Sequence, residues 1–266
     1  MNVKASVNYH IKSHEPQAFF FDVDGIAGNL IAPTLIETEI DVQDIRGKAD
    51  SVNFKDDGIL FVEHMSSIAH FDNDNDDWQA QYDEEIITLL THNIHAQEVI
   101  VFDHTIRADS VEPERKPARN VHNDYSPKGA NQRLIDLLGR QGAAEFQKGN
   151  FGFVNVWRPI EHTITRSPLG FIRPSSMRTD DWMTIELVYP DRMGQILGAV
   201  SNPNHEWFYQ SNMKVNETII FNIYDNSGRP HLAHSALDIH EGDIKEKNDS
   251  PHSRKSIETR TLVRYG

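Results

Sequence analysis

The sequence predicts a mainly β fold with flanking helices, arranged as a jelly roll or barrel. Three observations carry this. Most apolar segments are short, rich in β-branched and aromatic residues, and interrupted by Gly, Pro or Asp. Helical periodicity is confined to two stretches. Those stretches do not alternate with strands, which argues against a doubly wound parallel sheet.

In chain order, "ASVNYHI", "AFFFDV", "LIETEIDV" and "GILFVEH" read as strands. "DNDNDDWQAQYDEEIITLLTHN" opens on an acidic turn cluster and continues as a helix, because Tyr82, Ile86, Leu89 and Leu90 recur at helical spacing. "QEVIVFDHTIR" is a strand, and residues 108–121 form a polar loop with two prolines. A Pro-Lys-Gly turn then leads into "NQRLIDLLGRQGAAEFQKG", one or two short helices. From residue 150 strands return: "FGFVNVWRPI", "DWMTIELVYP", "EWFYQS", "ETIIFNIYD", "HLAHSAL" and "SIETRTLVRYG". There is no repeat of fixed period and no low-complexity linker, so residues 1–266 are expected to form a single domain.

Composition narrows the function. The 26 basic and 40 acidic residues give a net charge of −14. With no basic stripe to offset it, nucleic acid and anionic membrane are not expected partners. The absence of cysteine excludes disulfides and thiolate chemistry. The N-terminus lacks the apolar core of a signal peptide, and no run reaches the length of a membrane helix. The expected location is cytoplasmic.

Two stretches imitate known sites. "FFFDVDGIAGN" has the D-x-D-G form in which haloacid-dehalogenase phosphatases present a nucleophile, here Asp22, and a general acid, Asp24. The following "GIAGNLIAPTLIETEI", with Pro33 and β-branched residues, reads as strands where those enzymes need a helix, so an Asp-Gly turn is the better reading. In "DNDNDDW", Asp72, Asp74 and Asp76 have the first three EF-hand spacings. Asp77 replaces the required Gly and Asp83 the bidentate Glu, which leaves a solvated acidic loop.

Chemistry concentrates in "ARNVHNDYSPKG". On a strand, His122 and Asp124 point to the same face and converge above it. They supply two corners of a two-His-one-carboxylate triad, which holds Fe(II) and leaves positions open. The third corner must come from downstream, where "GRPHLAHSALD" offers His231 and His234. Further on, Arg254 and Ser256 share a strand face, and their guanidinium and hydroxyl suit the distal carboxylate of a dicarboxylic keto acid. Arg260 has the same parity and competes for that role. Asn155 and Arg158, in "NVWRP", are candidate substrate contacts, with a structural ion pair as the alternative for Arg158. Trp157, Trp207 and Tyr209 read as core.

The blocks "VIVFDHTIR", "NVHNDYSPKGANQRL", "FVNVWRPI", "SPLGF", "HEWFYQSNMKVNET" and "RKSIETRTLV" resemble, in order, a branch of the non-haem Fe(II)/2-oxoglutarate oxygenases. This branch includes the CmcJ-like protein of cephamycin methoxylation, fungal gibberellin desaturase and other fungal hydroxylase/desaturases. The resemblance covers the chain from about residue 40 to its end and implies a double-stranded β-helix, or cupin-like jelly roll. The family's His-Ser/Thr-Ala context points to His234 over His231. The resemblance departs at "LDIHEG", where the family usually carries an aromatic residue and a nearby proline. It implies Fe(II) on His122, Asp124 and His234, 2-oxoglutarate as co-substrate on Arg254 and Ser256, and O2 at the remaining position. The substrate would be a small natural-product intermediate that is hydroxylated, desaturated or cyclised at an unactivated C–H. Two other readings use the same residues: a cupin-like metal-dependent hydrolase or isomerase without 2-oxoglutarate, and a non-catalytic jelly-roll binding protein.

Overall fold

Val3, Ala5, Val7 and Tyr9 alternate with more exposed polar residues, so strand β1 (Asn2–His10) buries one face. The computed structural model describes residues 2–13, 15–26, 29–72, 76–109, 115–240 and 254–266. The strands continue with β2 (Gln17–Phe21), β3 (Leu30–Ile31), β4 (Leu35–Asp44), β5 (Ile59–Glu63), β6 (Glu98–Ala108), β7 (His122–Asn123) and β8 (Phe151–Pro159). Then come β9 (Leu169–Ile172), β10 (Trp182–Val188), β11 (Met193–Ala199), β12 (Trp207–Tyr209), β13 (Glu217–Asp225), β14 (His234–Ala236), β15 (Asp238–Ile239) and β16 (Lys255–Arg264). The α-helices are α1 (Phe54–Asp57), α2 (Gln79–Ile94) and α3 (Pro127–Phe146).

The described strands form two sheets. The larger runs β15-β1-β4-β12-β9-β14-β7-β11-β10-β2-β3, and the smaller β5-β13-β8-β16-β6. Pairing is antiparallel except between β2 and β10 and between β4 and β12. Phe171 and Phe208 of the larger sheet share one apolar core with Phe153, Trp157 and Phe221 of the smaller. The other face of the smaller sheet, with Val154, Val156, Ile220 and Ile257, is covered by Tyr82, Ile86 and Leu90 of α2. Two facing sheets with a helix outside are the jelly roll the sequence predicts.

Helix α3 departs from expectation at its start. The Pro-Lys-Gly segment is its first turn: Pro127 opens the helix, and the Ser126 hydroxyl accepts from the Gly129 amide. Gly139, at φ 69°, kinks it, while Ala130, Leu134, Ala143 and Phe146 enter the shared core. Gly129 is required by close approach, since a Cβ there would lie 2.1 Å from the Gln195 carbonyl oxygen of β11. This contact, five residues after Asp124, fixes the first turn of the helix against β11. Asp22 and Asp24 lie in a 3-10 turn between β2 and β3, at φ 51° and 59°, and among the described residues strands β3 and β4 follow, with no helix of the phosphatase kind. The acidic stretch that imitates an EF-hand lies partly outside the described residues.

Candidate metal centre and its inner wall

Cross-strand pairing brings two histidines together. His234 of β14 sits directly opposite His122 of β7, with ring centroids 4.4 Å apart. β7 ends at Asn123, so Asp124 lies in the bend before α3 and not on the strand. Its Oδ1 is 3.4 Å from His122 Nε2 and 3.7 Å from His234 Nε2. One ligand atom from each of the three residues lies within 4.8 Å of the others, a clustering found nowhere else among the described residues. His231 is elsewhere, its ring centroid 5.3 Å from that of Trp182.

The hydrogen bonds define what this cluster can hold. His122 Nδ1 donates to the Asn120 carbonyl at 2.8 Å, and His234 Nδ1 to the Leu232 carbonyl at 3.1 Å. Each Nε2 therefore presents a lone pair toward Asp124 Oδ1. Two nitrogen lone pairs and a carboxylate oxygen converge with no proton among them, an arrangement that a cation between them would stabilise. Burial, then the neighbouring His122, push His234 down to about 4, so it is neutral and able to ligate at neutral pH. Burial alone would raise Asp124. The Arg260 guanidinium, which donates to Oδ2, is the largest of the influences that outweigh it and hold the carboxyl well below the usual range.

The second oxygen of Asp124 is held from the opposite sheet. Asn155 Nδ2 donates to Oδ2 at 2.9 Å and Arg260 Nε at 3.0 Å, leaving Oδ1 to face the imidazoles. Arg260 also donates to Asp103 at 2.6 Å, to Thr105 at 3.1 Å and to Glu258. This places both Asn155 and Arg260 on the carboxylate. Asn155 is not presented to a substrate by this amide nitrogen, and Arg260 is not a free anchor for a keto acid.

Arg254 is buried, yet no carboxylate lies within ion-pair distance of it among the described residues. Its Nε donates to Ser256 Oγ at 3.2 Å and its Nη1 to the Ser167 carbonyl at 2.5 Å, and the guanidinium lies 5.2 Å from the Trp157 ring centroid. Burial, then the charge of Arg107, push it down to about 9, so it remains a cation at neutral pH. Arg158 corrects the sequence reading. Trp157 pairs with Glu258 and faces the shared core, so Arg158 points to the other side of the sheet. There it donates to the backbone carbonyls of His64 at 2.7 Å and Val215 at 2.6 Å, which is neither a place at the cluster nor an acidic ion pair. The sequence reading also passed over Arg107, which pairs with Ser256 across β6 and β16 and shares its face.

Comparison with known proteins agrees with this architecture. A family model described as "Oxidoreductase/YMDC permease-like domain" matches residues 8–264. Among the described residues, no helix is long and apolar enough to cross a membrane. The hydroxylase/desaturase efuI of Hormonema carpetanum is 29% identical over 252 residues, covering 84% of this chain and 82% of the relative. The alpha-ketoglutarate-dependent dioxygenase tstK of Talaromyces stipitatus is 25% identical over 240 residues, covering 85% and 84%. The solved structure of the iron and alpha-ketoglutarate-dependent endoperoxidase NvfI has the same fold, with a TM-score of 0.81, 21% identity, and coverage of 100% of this chain and 98% of that one. With its two facing sheets and its match over nearly the whole length, this chain belongs to the YDMC oxidoreductase family.

Proposed function

We propose that this chain is an Fe(II)- and 2-oxoglutarate-dependent oxygenase that hydroxylates, desaturates or cyclises a small natural-product intermediate at an unactivated C–H. The observation that carries the reading is the joint geometry of the inner wall: a His122–Asp124–His234 donor set, and a buried Arg254 that has no carboxylate partner among the described residues. The relatives named for hydroxylation, desaturation and 2-oxoglutarate dependence support it. When bound, iron and 2-oxoglutarate supply the activation of O2 through oxidative decarboxylation of the keto acid.

The protein's own residues do the rest. His122, Asp124 and His234 would hold the iron through two imidazole nitrogens and one carboxylate oxygen. Asn155 and Arg260 hold Asp124 so that Oδ1 alone is offered. Arg254 and Ser256 bind the distal carboxylate of 2-oxoglutarate through a planar fork and a hydroxyl. Hydrolase and isomerase readings give no role to a buried Arg254 that is without a carboxylate partner among the described residues. The core shared by both sheets supports reading residues 1–266 as one folding unit.

The test is succinate release from 2-oxoglutarate by Fe(II)-loaded protein in the presence of O2, with a panel of candidate small molecules. Release that depends on both iron and 2-oxoglutarate is the expected result. Stoichiometric iron binding with no 2-oxoglutarate binding or turnover would refute the co-substrate assignment.

A further inference from the structure

The inner wall formed by β6 and β16 has unequal ends. Asp103, Thr105 and Arg107 of β6 pair with Arg260, Glu258 and Ser256 of β16, and cross-strand partners share a face. Three carboxylates, those of Asp103, Asp124 and Glu258, converge on Arg260. At the other end stand two guanidiniums, Arg107 and Arg254. Among the described residues neither has a carboxylate within ion-pair distance. Arg107 is half-buried, and its one described hydrogen bond goes from Nη1 to the Lys116 carbonyl at 2.8 Å. The Asp109 carboxylate is already taken by Arg119 and Ser167.

A charge count sorts the possible ligands. Arg107, Arg254 and Arg260 carry three positive charges, and Asp103, Asp124 and Glu258 three negative ones, so the wall is balanced overall but polarised along its length. Fe(II) and the 2-oxoglutarate dianion add +2 and −2. The metal would sit at the acid-rich end through Asp124, and the one remaining anionic group, the distal carboxylate, belongs at the end where two cations lack a carboxylate partner among the described residues. An additional acidic group on the substrate would leave this ledger negative.

We propose that Arg107 is a second arm of the co-substrate clamp: together with Arg254 and Ser256 it grips the distal carboxylate and selects dicarboxylic over monocarboxylic keto acids. This rests on the 2-oxoglutarate reading above. A carboxylate has about four lone-pair sites, so it accepts from two guanidiniums and a hydroxyl at once. Placement supports the arrangement, because Arg107 is directly opposite Ser256, and Ser256 accepts from Arg254 Nε. Electrostatics agree. Arg254 is pushed down first by burial and next by Arg107, as expected of two cations held close before an anion arrives. Arg107 is itself pushed down to about 10 by burial, against the pull of Glu258, and stays charged at neutral pH.

The experiment is calorimetric titration of anaerobic Fe(II)-loaded protein with 2-oxoglutarate and, separately, with 2-oxovalerate, which has no distal carboxylate. In Arg107→Gln, 2-oxoglutarate affinity should fall about tenfold or more, the effect of losing a hydrogen bond to a charged group. The 2-oxovalerate affinity should not change. Arg107→Lys should recover part of the loss, since the charge returns without the fork, and it tests the idea if the Gln variant does not fold. Unchanged 2-oxoglutarate affinity in a folded Arg107 variant would overturn the clamp, as would an equal loss for both keto acids. If wild-type protein does not prefer 2-oxoglutarate over 2-oxovalerate, the co-substrate reading fails and the clamp falls with it. If wild type prefers 2-oxoglutarate and only Arg254→Gln abolishes that preference, the reading stands and Arg107 alone is refuted.

Discussion

Replacing Arg260 by Gln removes a cation on which three carboxylates converge and leaves a shorter, neutral polar side chain. Asp124 and Glu258 have side chains 10% and 8% exposed, whereas Asp103 is 45% exposed. Losing the Asp103 contact costs little, because water solvates that carboxylate. Asp124 and Glu258 are different: they would stay buried with their shared cation gone, and breaking a buried ion pair from one side costs about 3–5 kcal/mol. At roughly 2–4 °C per kcal/mol for a chain of this size, the melting temperature of the metal-free protein should fall by roughly 6–20 °C. Iron should also bind more weakly, by about 10–100-fold, because Asp124 Oδ2 keeps only its bond from Asn155. Arg260→Lys should recover part of both losses, since one ammonium cannot fork to three acids. The assays are thermal unfolding of metal-free protein and anaerobic Fe(II) titration. If Arg260→Gln left both unchanged but raised the 2-oxoglutarate requirement, Arg260 would be the keto acid anchor and the assignment of Arg254 would be wrong.

Three further outcomes are expected. His234→Ala should abolish iron binding while His231→Ala retains it, measured by metal content after anaerobic loading; the reverse pattern would move the third ligand to His231. Burial pushes His10 down to about 4, and its side chain is enclosed. Its folded value lies below the ordinary value of 6.5, so its stabilising contribution is complete above pH 6.5 and is lost as the pH falls toward 4. At 1.36 kcal/mol per pH unit this amounts to about 3 kcal/mol, and His10→Gln should flatten that part of the urea-unfolding profile against pH. Gly129→Ala would force a methyl group against the Gln195 carbonyl and should destabilise the fold by about 1–3 kcal/mol, read by urea denaturation; a neutral result would show that α3 can shift away from β11.

What the sequence revealed follows from how far apart the interacting residues are. His122 and Asp124 are two positions apart, so one alternation rule placed them together, even though the strand ends between them. Arg254, Ser256 and Arg260 were likewise legible as sharing a face, but parity alone could not tell which of the two arginines was free. Strands β9 and β11 went unread because both are interrupted by glycine, which removes the apolar alternation. Arg158 was a missed inference: three positions from Asn155 on one strand, it had to face the opposite way. The start of α3 was also available, since Ser126 followed by Pro127 is a capping sequence.

The hold on Asp124 was not legible, for a physical reason. Asp124 belongs to the bend after a strand of the larger sheet, and Asn155 and Arg260 to the smaller sheet, 31 and 136 residues away. No periodicity within one element encodes a bond between two sheets; only their packing does. The same bonds make the donor set depend on that packing. Two of the proposed ligands come from one cross-strand pair in the larger sheet, while the orientation of the third is set from the smaller one. Loosening the sheet–sheet core should therefore weaken metal binding even when His122, Asp124 and His234 are untouched.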